Sequence, residues 1–310
     1  MKLAGTLTLS TPEVPFSALL RQRMADYVAL TKPRIAVMVL ITVGAGYLMA
    51  AGGNAKFATL VHTLIGAGLV AAGASAWNMW MERDTDTRMK RTANRPLPAG
   101  RLHHLEVVVF GTFLAVTGVN YLYHAVASPY AAVVAALTFI SYVAIYTPLK
   151  PVTTWNTVIG AVPGALPPVI GWYAATGEIG LGGVAVFLVI FTWQLPHFMA
   201  IAWMYRHEYA KAGHKMLPTV DESGRRTSRA MIVWCIMLIL CSLLPVMHKP
   251  QLADITYAVG AIFCGVLYLL SAIKFSRLRT HHQARQVLKA SILYLPAIMA
   301  LLMMHAYLAG

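Results

Sequence analysis

The stretch LVHTLIGAGLVAAGASAWNMWMERDTD, residues 60–86, is apolar for most of its length and then turns abruptly polar. A helix that crosses a bilayer needs about 20 mostly apolar residues, and this run supplies them. Working outward, the same pattern recurs. Candidate spans lie near 33–52, 59–80, 105–123, 129–147, 155–175, 181–204, 229–247, 253–273 and 289–308. Backbone groups in lipid must pair within the chain, which continuous helices achieve. The alternating pattern of a membrane barrel is absent. The sequence therefore predicts an all-α integral membrane protein, with nine transmembrane helices in a bundle. Residues 1–310 read as one transmembrane domain, with 1–25 as a cytoplasmic N-terminal segment.

Composition agrees. Of 310 residues 58% are hydrophobic and 12% charged, against roughly 25% charged in soluble domains. Mean hydropathy is +0.63. A soluble domain, a disordered chain, a fibrous repeat and a disulfide-built module are all excluded. Cys235, Cys241 and Cys264 lie in apolar runs without CxxC spacing, so they read as packing residues. No sustained apolar core precedes residue 25, and no cleaved signal peptide is expected.

The charge is lopsided: 25 Lys+Arg against 11 Asp+Glu, net +14. Nine spans put the termini on opposite faces. All but two of the 25 bases then fall on the N-terminal face, with Lys56 and Lys249 the exceptions. Of the acids, only Glu178 and Asp254 lie elsewhere. The positive-inside rule makes the N-terminus and the large loops cytoplasmic and the C-terminus outer. The basic excess is thus a topology signal, and no nucleic-acid partner is expected.

The two long loops, 81–104 and 205–228, each continue a span that ends in polar residues. Each contains a Leu-Pro pair, Leu97-Pro98 and Leu217-Pro218. The echo suggests two four-helix units, spans one to four and five to eight, plus span nine. Such repeats bring polar helix ends together over one cavity. Coincidence in a helix-rich chain explains the spacing equally well.

Asn78, Glu82 and Asp86 are spaced i, i+4, i+8. Successive members drift only about 40° around a helix, so they form one stripe, with Asp84 off it. Two carboxylates and an amide are hard oxygen ligands suited to Mg²⁺, which is completed by the oxygens of a phosphate substrate. A charged helix end that merely marks the interface is the competing reading. Against it, like charges at i,i+4 repel unless neutralised. The cations Arg88, Lys90, Arg91 and Arg95 also follow at once, a set suited to phosphate.

The pattern Asn78-x-x-x-Glu82-x-x-x-Asp86, followed by RTANRPLP at 91–98, resembles the first aspartate-rich motif of the UbiA superfamily of intramembrane prenyltransferases. The NRPL run is especially similar to its heme O synthase branch. LTKPR at 30–34, PGALPPVIGW at 163–172 and WQLPHF at 193–198 agree with that branch. The resemblance covers residues 26 to about 220, and the nine-span count matches it. Where most of the superfamily has a second aspartate-rich motif, this chain reads WQLPHFMAIAWMYRHEY at 193–209, without D-x-x-x-D.

The resemblance implies transfer of the farnesyl group of farnesyl diphosphate to a vinyl group of heme b. Asn78, Glu82 and Asp86 would hold Mg²⁺ and count as catalytic. Heme b and farnesyl diphosphate would be substrates rather than cofactors. Lys32, Arg34, Arg88, Lys90, Arg91, Arg95, Arg206 and Lys215 are candidates to bind diphosphate or a heme propionate. For Arg206 and Lys215 the alternative is a charge snorkelling at the interface. His197, which follows Pro196 inside the bilayer, is a catalytic candidate because ionisable groups at depth are function candidates. Span five, with Pro163, Pro167 and Pro168 beside Gly160, Gly164 and Gly171, should kink or break, either as a wall of the substrate chamber or merely for packing.

The expected location is the bacterial inner membrane, with membrane lipid as a partner and a heme A-forming enzyme as a further one by family analogy. Two other readings stay open. One is a prenyltransferase for a quinone or another aromatic acceptor, which the missing second motif disfavours. The other is a multi-pass transporter, which would more often carry ionisable groups near the midplane.

Overall fold

The computed structural model describes residues 15–178, 180–246 and 252–309. The readings placed on Lys2 and Lys249 lie outside these residues, as does most of the 1–25 segment. Among the described residues there is no strand, and nine helices are long and apolar enough to cross a membrane. They are Pro33–Asn54, Phe57–Met81, His104–His124, Pro129–Leu149, Asn156–Thr176, Gly180–Met204, Arg225–Val246, Asp254–Leu278 and His281–Leu308. The nine sequence windows each find their helix.

Three differences are informative. A helix not foreseen in the sequence, Phe16–Leu30, precedes the first span. It takes up part of the segment read as a simple N-terminal arm. The eighth and ninth helices also run past their apolar windows and are separated only by Arg279 and Thr280. Lys274, Arg277, Arg285 and Lys289 thus sit on helical turns. Long basic side chains can reach the interface from a helix, so they do not have to mark a loop. Finally, the fourth span widens into a π-turn over Ser141–Tyr146 before ending at Leu149.

The spans pack as two groups. The first five share contacts, with the fifth wedged between the first and the fourth. The last four close on themselves, sixth to seventh to eighth to ninth and back to the sixth. This grouping differs from the expected units, spans one to four and five to eight with span nine added: the fifth span packs with the first group, and the ninth closes the second. The groups join where the sixth span meets the fifth and the ninth meets the first.

The fifth span breaks at Leu166, between Asn156–Ala165 and Pro167–Thr176, as its prolines require. Its small residues allow close backbone approach. A Cβ on Gly171 would lie 2.0 Å from the Val43 carbonyl oxygen, and one on Gly46 would lie 2.0 Å from that of Pro168. On the opposite flank the Gln194 amide donates to the Ala161 carbonyl at 2.8 Å, tying the broken helix to the sixth span.

Candidate active site

The second span ends at Met81, and Glu82 sits just beyond it in a non-helical conformation. The i→i−4 ladder nevertheless continues. The Glu82 amide donates to the Asn78 carbonyl at 3.0 Å and the Asp86 amide to the Glu82 carbonyl at 2.8 Å. Asn78, Glu82 and Asp86 thus follow one another along a helical face, all three buried. Asp84 is exposed, and its carboxylate lies 3.6 Å from the neighbouring Arg83.

Each stripe residue is met by a cation from a different part of the chain. Lys32 Nζ donates to Asn78 Oδ1 at 2.6 Å. Lys150 Nζ pairs with Glu82 Oε1. Arg95 Nη1 pairs with Asp86 Oδ2 at 2.6 Å. The Asn78 amide also donates to Thr147 Oγ1 at 3.1 Å. Local backbone makes these meetings possible. Lys32 adopts the left-handed conformation (φ 48°), turning the chain between the N-terminal helix and Pro33. Lys150 follows the π-turn, and its ammonium lies 4.7 Å from the centre of the Tyr146 ring. Single π-turns inside helices are frequent at functional sites.

The electrostatics divide the two carboxylates. Burial opposes charge on Glu82, but Lys150 and then Lys32 override it, and its carboxyl falls to about 2. Lys150 is driven upward, Glu82 outweighing burial. Lys32 is pulled down to about 8 by burial, against the pull of Glu82. Asp86 moves upward because burial outweighs Arg95. Its Oδ1 is buried without any partner. That orphan oxygen is a hard donor fit for a divalent cation. Among the described residues no group of three or more His, Cys, Asp or Glu side chains is placed to hold a metal. A cation here would need further oxygens from a ligand, which suits a magnesium diphosphate.

The second long loop closes over this cluster. The Lys215 amide donates to the Lys150 carbonyl at 2.8 Å, and Asn156 Nδ2 donates to the Lys215 carbonyl at 2.9 Å. It is the Lys215 backbone that takes part, its side chain being exposed. Arg91 bridges the loops, donating to Tyr209 Oη at 3.3 Å and lying 5.5 Å from the Tyr205 ring centre. His214 is buried beside them, held low by burial and then by Lys150.

Lys32 and Arg95 therefore join the stripe, and Arg91 links the two loops above it. Arg34, Arg88 and Lys90 are exposed, with no side-chain bond to the stripe. Arg206 stacks on Trp203 at 4.3 Å. His197 turns toward the ninth span instead. Its Nδ1 lies 2.7 Å from Ser291 Oγ, and its ring stacks on Trp193 at 5.0 Å. Sequence reasoning missed Lys150, Tyr146 and Thr147. The available signal was Lys150 as the single cation between spans four and five.

The UbiA prenyltransferase family model matches residues 39–302. The protoheme IX farnesyltransferase of Solibacter usitatus (strain Ellin6076) is 42% identical over 290 residues, covering 91% of this chain and 98% of that protein. Among solved structures, digeranylgeranylglyceryl phosphate synthase superposes with a TM-score of 0.77 at 15% identity, over 92% of this chain and 99% of its own. A UbiA homolog from Archaeoglobus fulgidus bound to GPP and Mg2+ gives 0.65 at 17% identity, over 89% and 99%. The family match over residues 39–302 and the 42% identity across 98% of that relative show that the chain belongs to the UbiA prenyltransferase family.

Proposed function

We propose that this protein is a heme b farnesyltransferase of the bacterial inner membrane, with its charged end in the cytoplasm. The observation that carries the chemistry is the set of three cation–oxygen pairs, Lys32–Asn78, Lys150–Glu82 and Arg95–Asp86, at the charged end of an apolar bundle. The choice of acceptor rests on relatives such as the one from Solibacter usitatus.

The reaction needs charge stabilisation more than proton transfer. The C1–O bond of farnesyl diphosphate breaks, and its electron pair leaves on diphosphate. A vinyl carbon of heme b bonds to C1. Water adds to the resulting cation and releases a proton, giving the hydroxyethylfarnesyl group of heme O. Asn78, Glu82 and Asp86 would hold Mg²⁺, which when bound supplies positive charge for the leaving diphosphate. Lys32, Lys150 and Arg95 exchange their carboxylate and amide partners for phosphate oxygens as substrate enters. These donors are fixed before the bond breaks, the arrangement in which electrostatic stabilisation is largest. The apolar bundle beneath keeps the allylic cation from premature capture by water.

The test is direct. Membranes holding the protein are given heme b, farnesyl diphosphate and Mg²⁺, and the extracted hemes are weighed by mass spectrometry. Heme O is expected. Its absence beside an active control enzyme overturns the proposal.

A further inference from the structure

The N-terminal helix Phe16–Leu30 precedes the nine spans and packs against the second of them. Its first ten residues are exposed all round, apolar at Phe16, Leu19, Leu20 and Met24 and polar at Ser17, Arg21, Gln22 and Arg23. Its last turn faces inward at Asp26, Tyr27 and Leu30. Tyr27 and Leu30 pack with Ala76, Met79, Leu102 and Val107, at the end of the second span and the start of the third.

Two polar clasps fasten this helix to the 87–103 loop. Asp26, 3% exposed, accepts from Arg101 Nε at 2.9 and 3.1 Å. Arg23 donates to the Arg101 carbonyl at 3.2 Å and reaches both Glu106 oxygens at 2.9 Å. Arg101 passes the connection on. Its Nη1 donates to Asn94 Oδ1 at 3.1 Å and its Nη2 to the Asn94 carbonyl at 3.0 Å. The next residue is Arg95, whose guanidinium holds Asp86. The same helix ends at the turn that aims Lys32 at Asn78.

We propose that Asp26 and Arg101 are positioning residues for diphosphate binding, fixing Arg95 on Asp86 through Asn94. The helix acts as a strap: its buried carboxylate, Asp26, sets one side of the site through Arg101. An Arg guanidinium shared in this way is directional, because its donors have a fixed planar geometry. Replacing Arg101 by Lys keeps the charge and loses the shared geometry.

This inference rests on the prenyl-transfer reading, so its test measures diphosphate binding separately from heme turnover. Wild type, Asp26→Asn, Arg101→Lys and Asn94→Ala are purified in detergent. Affinity for farnesyl diphosphate with Mg²⁺ is measured by calorimetry, heme O formation in parallel, and the thermal midpoint for each protein. Asp26→Asn and Arg101→Lys are expected to bind farnesyl diphosphate about tenfold more weakly, the scale of losing one hydrogen bond to a charged group. Asn94→Ala changes only an exposed loop side chain and should shift affinity in the same direction. Asp26→Glu should recover part of the loss. A lowered midpoint with wild-type affinity in all three variants would assign the clasp to stability alone and overturn the proposal. Should Asp26→Asn fail to fold, Arg101→Lys decides, because it keeps the charge and loses the bonds to both Asp26 and Asn94. Wild type that binds farnesyl diphosphate but makes no heme O would count against the acceptor, not against the clasp.

Discussion

Asp84 and Asp86 are two residues apart and live in opposite environments. Asp84 is exposed and meets a neighbouring arginine, whereas Asp86 is buried, with Arg95 on one carboxylate oxygen and no hydrogen-bond partner on the other. Glu82, likewise buried, is committed to Lys150. The contrast fixes a mutational order. Glu82→Gln and Asp86→Asn should each lower the rate of heme O formation by about a hundredfold or more, the scale seen when a preorganised electrostatic group is removed. Asp84→Asn should stay within about twofold, as expected of an exposed ion pair. The measurement is initial rate in membranes with matched protein levels, and equal losses at all three positions would remove the stripe from the chemistry. At this scale the sequence was half legible. Spacing along a helix revealed Asn78, Glu82 and Asp86, because i, i+4, i+8 is a local property. It did not reveal Lys150, which lies 68 residues from Glu82 and reaches it only through the π-turn. Nor did it show that Arg34, Arg88 and Lys90 stand away from the cluster, since residue type alone does not say which way a side chain faces.

Among the elements, the broken fifth span shows local chemistry setting long-range packing. Its prolines end the helix at Leu166, and its glycines let two backbones approach where a side chain would keep them apart. Gly171→Ala and Gly46→Ala each place a methyl group against a neighbouring carbonyl, with no flexible side chain there to give way. Each should destabilise the fold by about 1–3 kcal/mol, the usual cost of overpacking. Gly53→Ala meets nothing within 4 Å and serves as the control. Thermal unfolding in detergent reads the difference, and equal midpoints for Gly171→Ala and Gly53→Ala would deny the close approach. The break was legible because proline acts locally. The N-terminal helix was not: its apolar positions are dispersed around Gln22, Arg21 and Arg23, so it has no continuous hydrophobic run, and it is held largely by its clasps to a distant loop.

Across the whole molecule, charge sorts to one end of the bundle. The N-terminal helix, the two long loops, Lys150 and the helix ends around Arg279 all lie at the end that carries the site. Lys56, between the first and second spans, stands at the other end among short connections. Loops rich in Lys and Arg stay on the side where the chain is made, which is the ground for the proposed cytoplasmic orientation of the site. Labelling can check this in a chain whose Cys235, Cys241 and Cys264 are replaced by Ala. One added cysteine would stand at Lys56 and, in a second protein, one at exposed Ala99. A membrane-impermeant maleimide added to whole cells should label Lys56→Cys and leave Ala99→Cys unmodified, and inverted vesicles should give the reverse. The opposite pattern would move the cluster to the outer face. There the cation set would no longer face the compartment in which soluble diphosphates are made, and the positive-inside signal would need another cause. The placement of the bases thus joins topology to chemistry. The charges that hold the loops on one side include Lys32, Arg95 and Lys150, the cations that meet Asn78, Asp86 and Glu82.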